Sequence, residues 1–329
     1  MPERIKIGMI GTGHSHASGK LAALRASDEY EVVGVAESDD ALRRTRQGQR
    51  LFHDLPFMTT DQLLNHRGLK AVAVEGRVHE LLSAAEKCVA AGMHLHLDKP
   101  PGVSLGAFRG LVDQMERKHL VLQMGYMFRY NAGFELLHQL LADKALGRIY
   151  RVSGVIGKVI SPSSREPLTR YSGGLMFELA CHLIDQLVYV LGAPRIVTPY
   201  LRHDAAIDDG LADNTLAVFE FEHASATIES AAMEVEGFAR RQFVVCGEHG
   251  VFDLRPIEPP AVRLALDAPR GPYKKGYQVV EVENRPRYVA DFVDFARCIR
   301  GEKTLAFTTT HDVNTHEALL RASGMPTDT

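Results

Sequence analysis

The chain has 329 residues, of which 45% are hydrophobic and 24% are charged, and its formal net charge at pH 7 is −3. This length favours two domains. The composition is ordinary for a soluble globular protein and lacks the strong charge that would hold nucleic acid or an anionic membrane. Because the chain enters a strand pattern directly and no stretch approaches the ~18 apolar residues of a membrane span, we expect a cytoplasmic protein.

The first part of the chain alternates short apolar runs with helical patterns. We predict strands at residues 5–10, 31–36, 70–74, 94–97 and 121–125, and helices at residues 17–25, 79–91 and 105–118. The strands are apolar almost throughout, which is typical of a parallel sheet covered by helices on both faces. Residues 1–122 are therefore predicted to form an α/β domain with a doubly wound parallel sheet.

The pattern changes after residue 122. Helices are predicted at residues 131–142, 175–191, 288–300 and 311–323, and strands at residues 147–158, 214–221, 224–230 and 240–246, with weaker ones beyond. Strands at short spacing indicate an antiparallel sheet, so we expect residues 123–329 to form an α+β domain with an open, mainly antiparallel sheet. The strand at residues 214–221 would permit a homodimer or homotetramer to form through that sheet, and we expect such an assembly.

A glycine turn follows the first predicted strand, in the segment Ile7-Gly8-Met9-Ile10-Gly11-Thr12-Gly13-His14-Ser15-His16. Gly11 and Gly13 provide the tight turn and the close backbone approach that a pyrophosphate needs, and the helix that begins near Ser15 offers free N–H groups. The turn predicts a dinucleotide site, against the alternative of a glycine turn without a ligand. The predicted contacts are Gly11, Thr12, Gly13, His14, Ser15 and His16.

An acidic residue follows the second predicted strand. Glu37 lies about 20 residues beyond the turn, where a carboxylate accepts hydrogen bonds from the adenosine ribose hydroxyls. A carboxylate at this position repels a 2′-phosphate, which favours NAD over NADP as the cofactor. Arg43 and Arg44, which the pattern places on the solvated face of a short helix, keep NADP open.

The tripeptide Asp98-Lys99-Pro100 ends the apolar stretch at residues 93–97. Packing explains it poorly, because lysine is rarely buried without a partner. Pro100 removes a backbone donor and fixes the direction of the chain. The tripeptide therefore indicates an ammonium group that is held in one place.

Two further clusters carry candidate site residues. Glu178, His182 and Asp185 share one face of the predicted helix at residues 175–191, where a satisfied histidine with surface acids is the alternative interpretation. The spacing of Glu178 and His182 would also suit zinc, but no third ligand is evident and the four cysteines form no Cys-x-x-Cys pair, so we predict no metal. Tyr126 and Arg129 could bind polyol hydroxyls or a carboxylate, or form a domain-linking salt bridge.

In four motifs, taken in order, the chain resembles the glucose–fructose oxidoreductase and inositol dehydrogenase (Gfo/Idh/MocA-type) family of nicotinamide-dependent oxidoreductases. The motifs are the glycine turn, Asp98-Lys99-Pro100, Gly125-Tyr126-x-x-Arg129-Tyr130 and Gly173-Gly174-x-x-x-Glu178-x-x-Cys181-His182-x-x-Asp185. The resemblance implies a Rossmann domain joined to an open-sheet substrate domain. It also implies NAD(P)-dependent oxidation or reduction of a carbinol carbon on a sugar, an inositol or a related polyol.

The resemblance implies that Lys99 and His182 are catalytic and that Glu178 contacts substrate. His182 would accept the hydroxyl proton while Lys99 stabilises the alkoxide, although the sequence leaves the two roles interchangeable. We expect Arg170 and Tyr171 to contact substrate together with Tyr126, Arg129, Glu178 and Asp185.

The chain departs from the family pattern at three places. Asp98 stands where the family usually has glutamate, and Glu178 stands where it usually has aspartate. A charged loop replaces the usual threonine-proline-asparagine sequence beneath the nicotinamide, and we expect its residues Glu75, Gly76, Arg77 and His79, together with Asp98 and Lys99, to contact the cofactor. Two alternatives to a dehydrogenase stay open: an NAD-using glycosidase, and a nicotinamide-binding sensor or scaffold.

Overall fold

The computed structural model describes residues 3–327, which divide into two compact units. Of the described residues, the first unit contains residues 3–127 and 286–309. The second contains residues 128–285 and 310–327. Among the described helices, none is both long enough and apolar enough to cross a membrane.

Between residues 5 and 124, six parallel strands form one sheet in the order β3-β2-β1-β4-β5-β6. The strands are β1 (Ile5–Ile10), β2 (Tyr30–Ala36), β3 (Phe57–Met58), β4 (Ala71–Val74), β5 (His94–Leu97) and β6 (Leu122–Met124). The helices are α1 (Ala17–Ala26), α2 (Asp40–Gln47), α3 (Thr60–Leu64), α4 (Leu81–Ala90) and α5 (Leu105–Arg117). The strand order reverses between β1 and β4, and open α/β sheets bind ligands at the carboxyl ends of the strands at such a point.

Between residues 149 and 280, eight strands form a second sheet in the order β14-β13-β12-β11-β7-β10-β9-β8. Its strands are β7 (Ile149–Val155), β8 (Ile196–Arg202), β9 (Asn214–Glu220), β10 (Ser225–Ala231), β11 (Gln242–Gly247), β12 (Gly250–Leu254), β13 (Val262–Leu266) and β14 (Gly276–Val280). All neighbours are antiparallel except β7 and β10. The helices of this part are α6 (Ala132–Ala142), α7 (Pro162–Arg165), α8 (Leu175–Glu178), α9 (Cys181–Leu191) and α10 (Gly237–Arg240).

Two helices close the described chain, α11 (Val289–Ile299) and α12 (Thr309–Ala322). Helix α11 belongs to the first unit, whereas the sequence analysis divided the chain once, at residue 122. The Tyr30 hydroxyl donates to the Phe292 carbonyl over 2.6 Å, and the Phe292 ring lies 4.6 Å from the ring of His96. Helix α11 makes these contacts with the first unit. The sequence pattern predicts its apolar face but does not show which part of the chain that face packs against.

The predicted fold class is confirmed: an α/β unit with a parallel sheet of Rossmann order and a second unit with an open, mainly antiparallel sheet. Most residues of the central strands are buried because helices cover the sheet, and β4 is buried at all four positions. The predicted short helix with a solvated basic face is also confirmed, since α2 has no buried residue.

One predicted element is wrong in a way that affects the site. The helix expected at residues 175–191 is two helices, α8 and α9, separated at residues 179–180. The N–H groups of Leu179 and Ala180 both bond to the Leu175 carbonyl, and a new helix starts from the Ala180 carbonyl. A continuous apolar pattern cannot reveal this break, because both helices are buried at most of their positions.

Candidate active site

The glycine turn lies after β1, at the carboxyl edge of the first sheet. Gly11 has a φ of +78°, and a Cβ atom there would lie 2.5 Å from the backbone nitrogen of Gly76. A Cβ on Gly13 would lie 2.8 Å from Cγ of Arg77. Glycine is therefore required at both positions by the approach of the chain's own loop after β4, which packs directly on the turn.

The Glu37 carboxylate is buried next to the turn. Its Oε2 accepts hydrogen bonds from the backbone N–H and the hydroxyl of Thr12, both over 2.7 Å, and Oε1 accepts from the Asp39 N–H over 2.9 Å. A carboxylate can accept about four hydrogen bonds in total, so Oε1 keeps capacity for a further donor. This arrangement fits a ribose hydroxyl at the position expected for Glu37.

A cavity of about 180 Å³ opens beside Glu37, and its lining includes Gly11, Ser38, Gly76, Ser83 and Lys87. Asp39 adds a second carboxylate at this end and forms an ion pair with Arg77 over 2.7 Å. Small side chains and a carboxylate together fit the adenosine end of a dinucleotide.

The other predicted cofactor contacts in the first unit differ in exposure. Thr12, His14, Glu75 and Asp98 are buried, whereas Ser15 and His79 are exposed. His16 is half-buried and is the N-cap residue of α1. Their contact with a cofactor stays a prediction.

Lys99 follows β5 at the carboxyl edge of the sheet and is 1% exposed. Its backbone N–H donates to Oδ1 of Asp98 over 2.8 Å. The same oxygen lies 3.0 Å from the Lys20 ammonium and 3.2 Å from Nδ1 of His16, while Oδ2 lies 2.6 Å from Nδ1 of His14. Asp98 is thus fixed from several directions inside the first unit.

The pKa values of this cluster reflect its burial and its charges. Burial raises the pKa of Asp98, but His14, Lys20 and His16 outweigh burial and hold this pKa well below its usual value. Burial of His16 lowers the pKa of its imidazole to about 3. Asp98 is therefore an anion that is surrounded by donors.

The sequence analysis missed Lys20, which is fully buried and donates to Oε1 of Glu75 over 2.9 Å. A signal for it exists in the sequence. Lys20 shares the buried face of α1 with Ala17, Leu21 and Leu24, and a lysine at that helical spacing requires a buried anion.

In the second unit, His182 lies in the first turn of α9 and is 1% exposed, with its ring 5.2 Å from the ring of Phe128. Glu178 is half-buried at the end of α8. Because the helix breaks between them, the argument that four-residue spacing places both on one helical face does not apply.

Gly174 has a φ of +47°, and its close neighbour is the backbone of Ala212.

Arg129 and Asp185 form a buried ion pair within the second unit. The guanidinium donates to both Asp185 oxygens, at 2.6 and 3.1 Å, and to Asp312 over 2.5 Å. His311 adds a contact of 2.9 Å between Nε2 and Oδ1 of Asp185. Burial raises the pKa of Asp185, but Arg129 and His311 outweigh burial and lower it to about 2.

Arg129 therefore forms an ion pair, which is one of the roles that the sequence analysis left open. That analysis considered a salt bridge between domains, whereas this ion pair lies within the second unit. Tyr126 and Tyr171 are buried, with the Tyr171 ring 5.0 Å from that of Phe177, whereas Arg170 is exposed. Substrate contacts by these residues stay predictions.

Three groups of histidine and carboxylate side chains in the described part of the chain come close enough to share a metal ion. Each already contains a cationic side chain in contact with its carboxylates: Lys20 at Asp98, Arg129 at Asp185 and Asp312, and Arg165 at Asp209 and Asp213. Within residues 3–327, the pair Glu178 and His182 belongs to none of the three groups.

Two family models match most of the chain. The model described as the oxidoreductase family, NAD-binding Rossmann fold, matches residues 5–126. The model described as the GFO/IDH/MocA C-terminal domain matches residues 134–253. Together they cover the whole first sheet and, in the second sheet, β7 to β11 and most of β12.

Curated relatives are distant. The chain is 24% identical over 199 residues to scyllo-inositol 2-dehydrogenase (NADP(+)) IolW of Bacillus subtilis (strain 168), an alignment that covers 60% of this chain and 54% of the relative. The uncharacterized oxidoreductase YdgJ of Escherichia coli (strain K12) is 23% identical over 205 residues, 60% of this chain and 57% of that protein. The chain therefore spans little more than half the length of these two relatives.

A longer alignment, 275 residues at 25% identity, covers 77% of this chain and 80% of trans-1,2-dihydrobenzene-1,2-diol dehydrogenase of Macaca fuscata fuscata. Two solved structures share the fold: GenD2 from gentamicin A biosynthesis in complex with NAD, and UDP-N-acetylglucosamine 3-dehydrogenase GnnA from Acidithiobacillus ferrooxidans. GenD2 has a TM-score of 0.80 at 21% identity and covers 98% of this chain and 94% of its own. GnnA has a TM-score of 0.82 at 18% identity and covers 98% of both chains. With both domain models matched in order, the chain belongs to the GFO/IDH/MocA family of NAD(P)-dependent oxidoreductases.

Proposed function

We propose that the protein is an NAD-dependent dehydrogenase. It would transfer a hydride between nicotinamide and a carbinol or carbonyl carbon of a sugar, an inositol or a related polyol. The observation that carries this proposal is Lys99, a buried lysine that follows β5 at the same carboxyl edge of the sheet as the glycine turn. A protein that only binds a dinucleotide has no use for a buried lysine at that edge.

Glu37 would hold the adenosine ribose through the remaining capacity of its carboxylate, and the turn at Gly11 and Gly13 would hold the pyrophosphate. Glu37 lines the cavity as a carboxylate, and a carboxylate beside the ribose would repel a 2′-phosphate, which supports NAD rather than NADP. When bound, the nicotinamide ring supplies the hydride acceptor or donor.

The proton would be handled by the chain's own side chains. In the oxidative direction, His182 accepts the hydroxyl proton because a neutral imidazole is a base near neutral pH. Lys99 hydrogen-bonds the same oxygen and stabilises its developing negative charge. Glu178 binds a neighbouring hydroxyl, and Tyr126, Arg170 and Tyr171 supply further substrate contacts. We give Arg129 and Asp185 the task of fixing α9, since they bond to each other.

Two relatives support the substrate class. One is named for the oxidation of an inositol and the other for a dihydrodiol, and both substrates carry adjacent ring hydroxyls. The test is a panel of inositols, sugars, polyols and a trans-dihydrodiol, with NAD and NADP in parallel and the absorbance of reduced cofactor as the readout. Turnover of a vicinal diol with NAD supports the proposal. Product without net reduced cofactor would indicate a glycosidase, and binding without turnover across the panel would indicate a sensor or scaffold.

We also propose a cytoplasmic homodimer or homotetramer that forms through the open face of the second sheet. Tyr200 and Ile196 on the edge strand β8 are 52% and 51% exposed. Light scattering after size exclusion tests this assembly, because Tyr200→Glu would place a charge in the interface and shift the protein toward the monomer.

A further inference from the structure

The interior of the first unit holds a group of ionisable side chains that the reaction as proposed does not use. Lys20 projects from α1 between Glu75, which follows β4, and Asp98, which follows β5. All three side chains are fully buried. His96 of β5 faces the same group, with Nδ1 3.6 Å from Oε1 of Glu75.

With His96 neutral, the charges of Lys20, Glu75 and Asp98 do not balance if all three side chains are ionised. One ammonium, Lys20, is shared by two carboxylates at 2.9 and 3.0 Å. His96 adds no positive charge, because burial lowers its pKa well below the usual value. A buried anion without a compensating charge is so costly that such groups take up a proton instead.

The contacts decide which carboxylate carries that proton. Asp98 is surrounded by Lys20, the Lys99 N–H, His14 and His16, whereas Glu75 receives one donor, Lys20, at Oε1. Oε2 of Glu75 is buried and has no hydrogen-bond partner among the described residues. Burial and the Asp98 carboxylate raise the pKa of Glu75 well above its usual value. A proton on Glu75 turns an unsolvated anionic oxygen into a hydroxyl beside a carboxylate acceptor.

We propose that Glu75 is a neutral carboxylic acid in the folded protein and that Lys20 and Glu75 are positioning residues for the reaction. The chain of contacts runs from Glu75 through the Lys20 ammonium to the Asp98 carboxylate, and from there to the backbone N–H of Lys99. This inference rests on the proposed role of Lys99, but the protonation of Glu75 stands independently of it.

The surroundings of Lys20 support a fixed geometry. A Cβ atom on Gly125 would lie 2.7 Å from the Lys20 nitrogen, so the chain after β6 closes on the ammonium. The ring of Tyr288 lies 5.9 Å from that nitrogen and 5.7 Å from the His16 ring. Tyr288 has a φ of +70°, and a Cβ atom on Gly19 would meet its ring at 2.7 Å. Backbone and aromatic groups therefore leave Lys20 little freedom to move.

The protonation of Glu75 is tested without cofactor or substrate. Infrared difference spectra between wild type and Glu75→Gln should show the carbonyl stretch of a protonated carboxylic acid at neutral pH, lost in the variant. Because the folded-state pKa is raised, the stabilisation from this proton is complete below the unfolded pKa and is lost as pH rises through the folded value. The melting temperature of wild type should therefore fall relative to that of Glu75→Gln as pH rises from about 5. An ionised Glu75 at neutral pH, with no such band, would overturn the proposal.

The positioning role is tested by turnover in the NAD-loaded enzyme. We expect Lys20→Met to lower kcat at least 100-fold and to displace the pH–rate profile, while Glu75→Gln, which keeps the shape of a neutral acid, costs less than tenfold. If Lys20→Met does not fold, Lys20→Met/Asp98→Asn removes both charges and should recover the melting temperature but not kcat or the profile.

The positioning role would be disproved if kcat fell as much in Glu75→Gln as in Lys20→Met. It would also be disproved if the double variant had the kcat of wild type. The infrared band would still report on Glu75 if the protein proved not to be a dehydrogenase, so the two proposals fail separately.

Discussion

The two units each contain a buried ion network next to a candidate catalytic residue, and the two networks are built differently. In the first unit, a lysine is shared by Glu75 and Asp98, and Lys99 follows directly in the chain. In the second, Arg129 is shared by Asp185 and Asp312, and His182 lies one helical turn before Asp185. Each network has one cation and two carboxylates.

The difference lies in how the cation holds its carboxylates. Arg129 forms several hydrogen bonds of fixed direction to Asp185, because the guanidinium is planar and always charged. Lys20 is a point charge that fixes distance more than direction, so Asp98 also needs His14, His16 and the Lys99 N–H. We infer that the arginine network is mainly structural and that the lysine network tunes charge next to the chemistry.

The largest expected effect is on turnover. Lys99→Ala and His182→Ala should each lower kcat by about 1,000-fold or more, since one removes the stabilisation of the alkoxide and the other the proton acceptor. The dissociation constant for NAD, measured by calorimetry, should change little in both variants. If both variants fold but lose NAD binding, Lys99 and His182 have a mainly structural role. The two ion networks would then no longer lie next to catalytic residues.

The next effect is on stability. Arg129→Met leaves Asp185 and Asp312 without their cation, and removing one partner of a buried ion pair costs about 3–5 kcal/mol. The measurement is the free energy of unfolding in urea. The matched control is Arg148→Met, which removes an arginine from an exposed pair with Glu248 and should cost less than about 1 kcal/mol. Equal losses in the two variants would mean that the Arg129 network contributes no more than a surface pair.

The sequence predicted the first unit well because its signals are local. The glycine turn and the position of Glu37 both depend on short-range geometry. Apolar strands of four to six residues with helices between them leave few alternatives to a parallel sheet. The two-residue strand β3 was missed because it is too short to produce a pattern.

The candidate site was predicted less well because its contacts are distant in sequence. Lys20 lies 55 residues from Glu75 and Arg129 lies 183 residues from Asp312, and no spacing rule links such pairs. The return of α11 to the first unit has the same cause. Single charged residues on buried helical faces, such as Lys20 on α1, were the available signal that an anion had to be found elsewhere.

A smaller effect concerns acid stability of the second network. The folded-state pKa of Asp185 is about 2 against an ordinary value of 3.8. Its stabilisation, about 2 kcal/mol, is therefore present above the ordinary value and is lost as pH falls through the folded one. Unfolding in urea at several pH values should show that wild type and Asp185→Asn converge in stability as pH falls. Burial raises the pKa of Asp312, so the stability of Asp312→Asn should still fall with pH over the same acid range. A constant difference between wild type and Asp185→Asn would contradict the lowered pKa.

The smallest effect concerns Glu37, a buried carboxylate that is held by N–H and hydroxyl donors instead of a cation. Glu37→Ser removes an acceptor of ribose hydrogen bonds, and a hydrogen bond to a charged group contributes about 1.5–3 kcal/mol, so NAD should bind roughly 10- to 100-fold more weakly. Glu31→Gln, an exposed glutamate on β2, the strand that precedes Glu37, is the control and should leave the affinity unchanged. The comparison of NAD with NADP separates two causes. If Glu37 only stabilises the turn through Thr12, the affinities for NAD and NADP fall equally in the variant. If the carboxylate repels the 2′-phosphate, the affinity for NADP falls less than that for NAD, or rises.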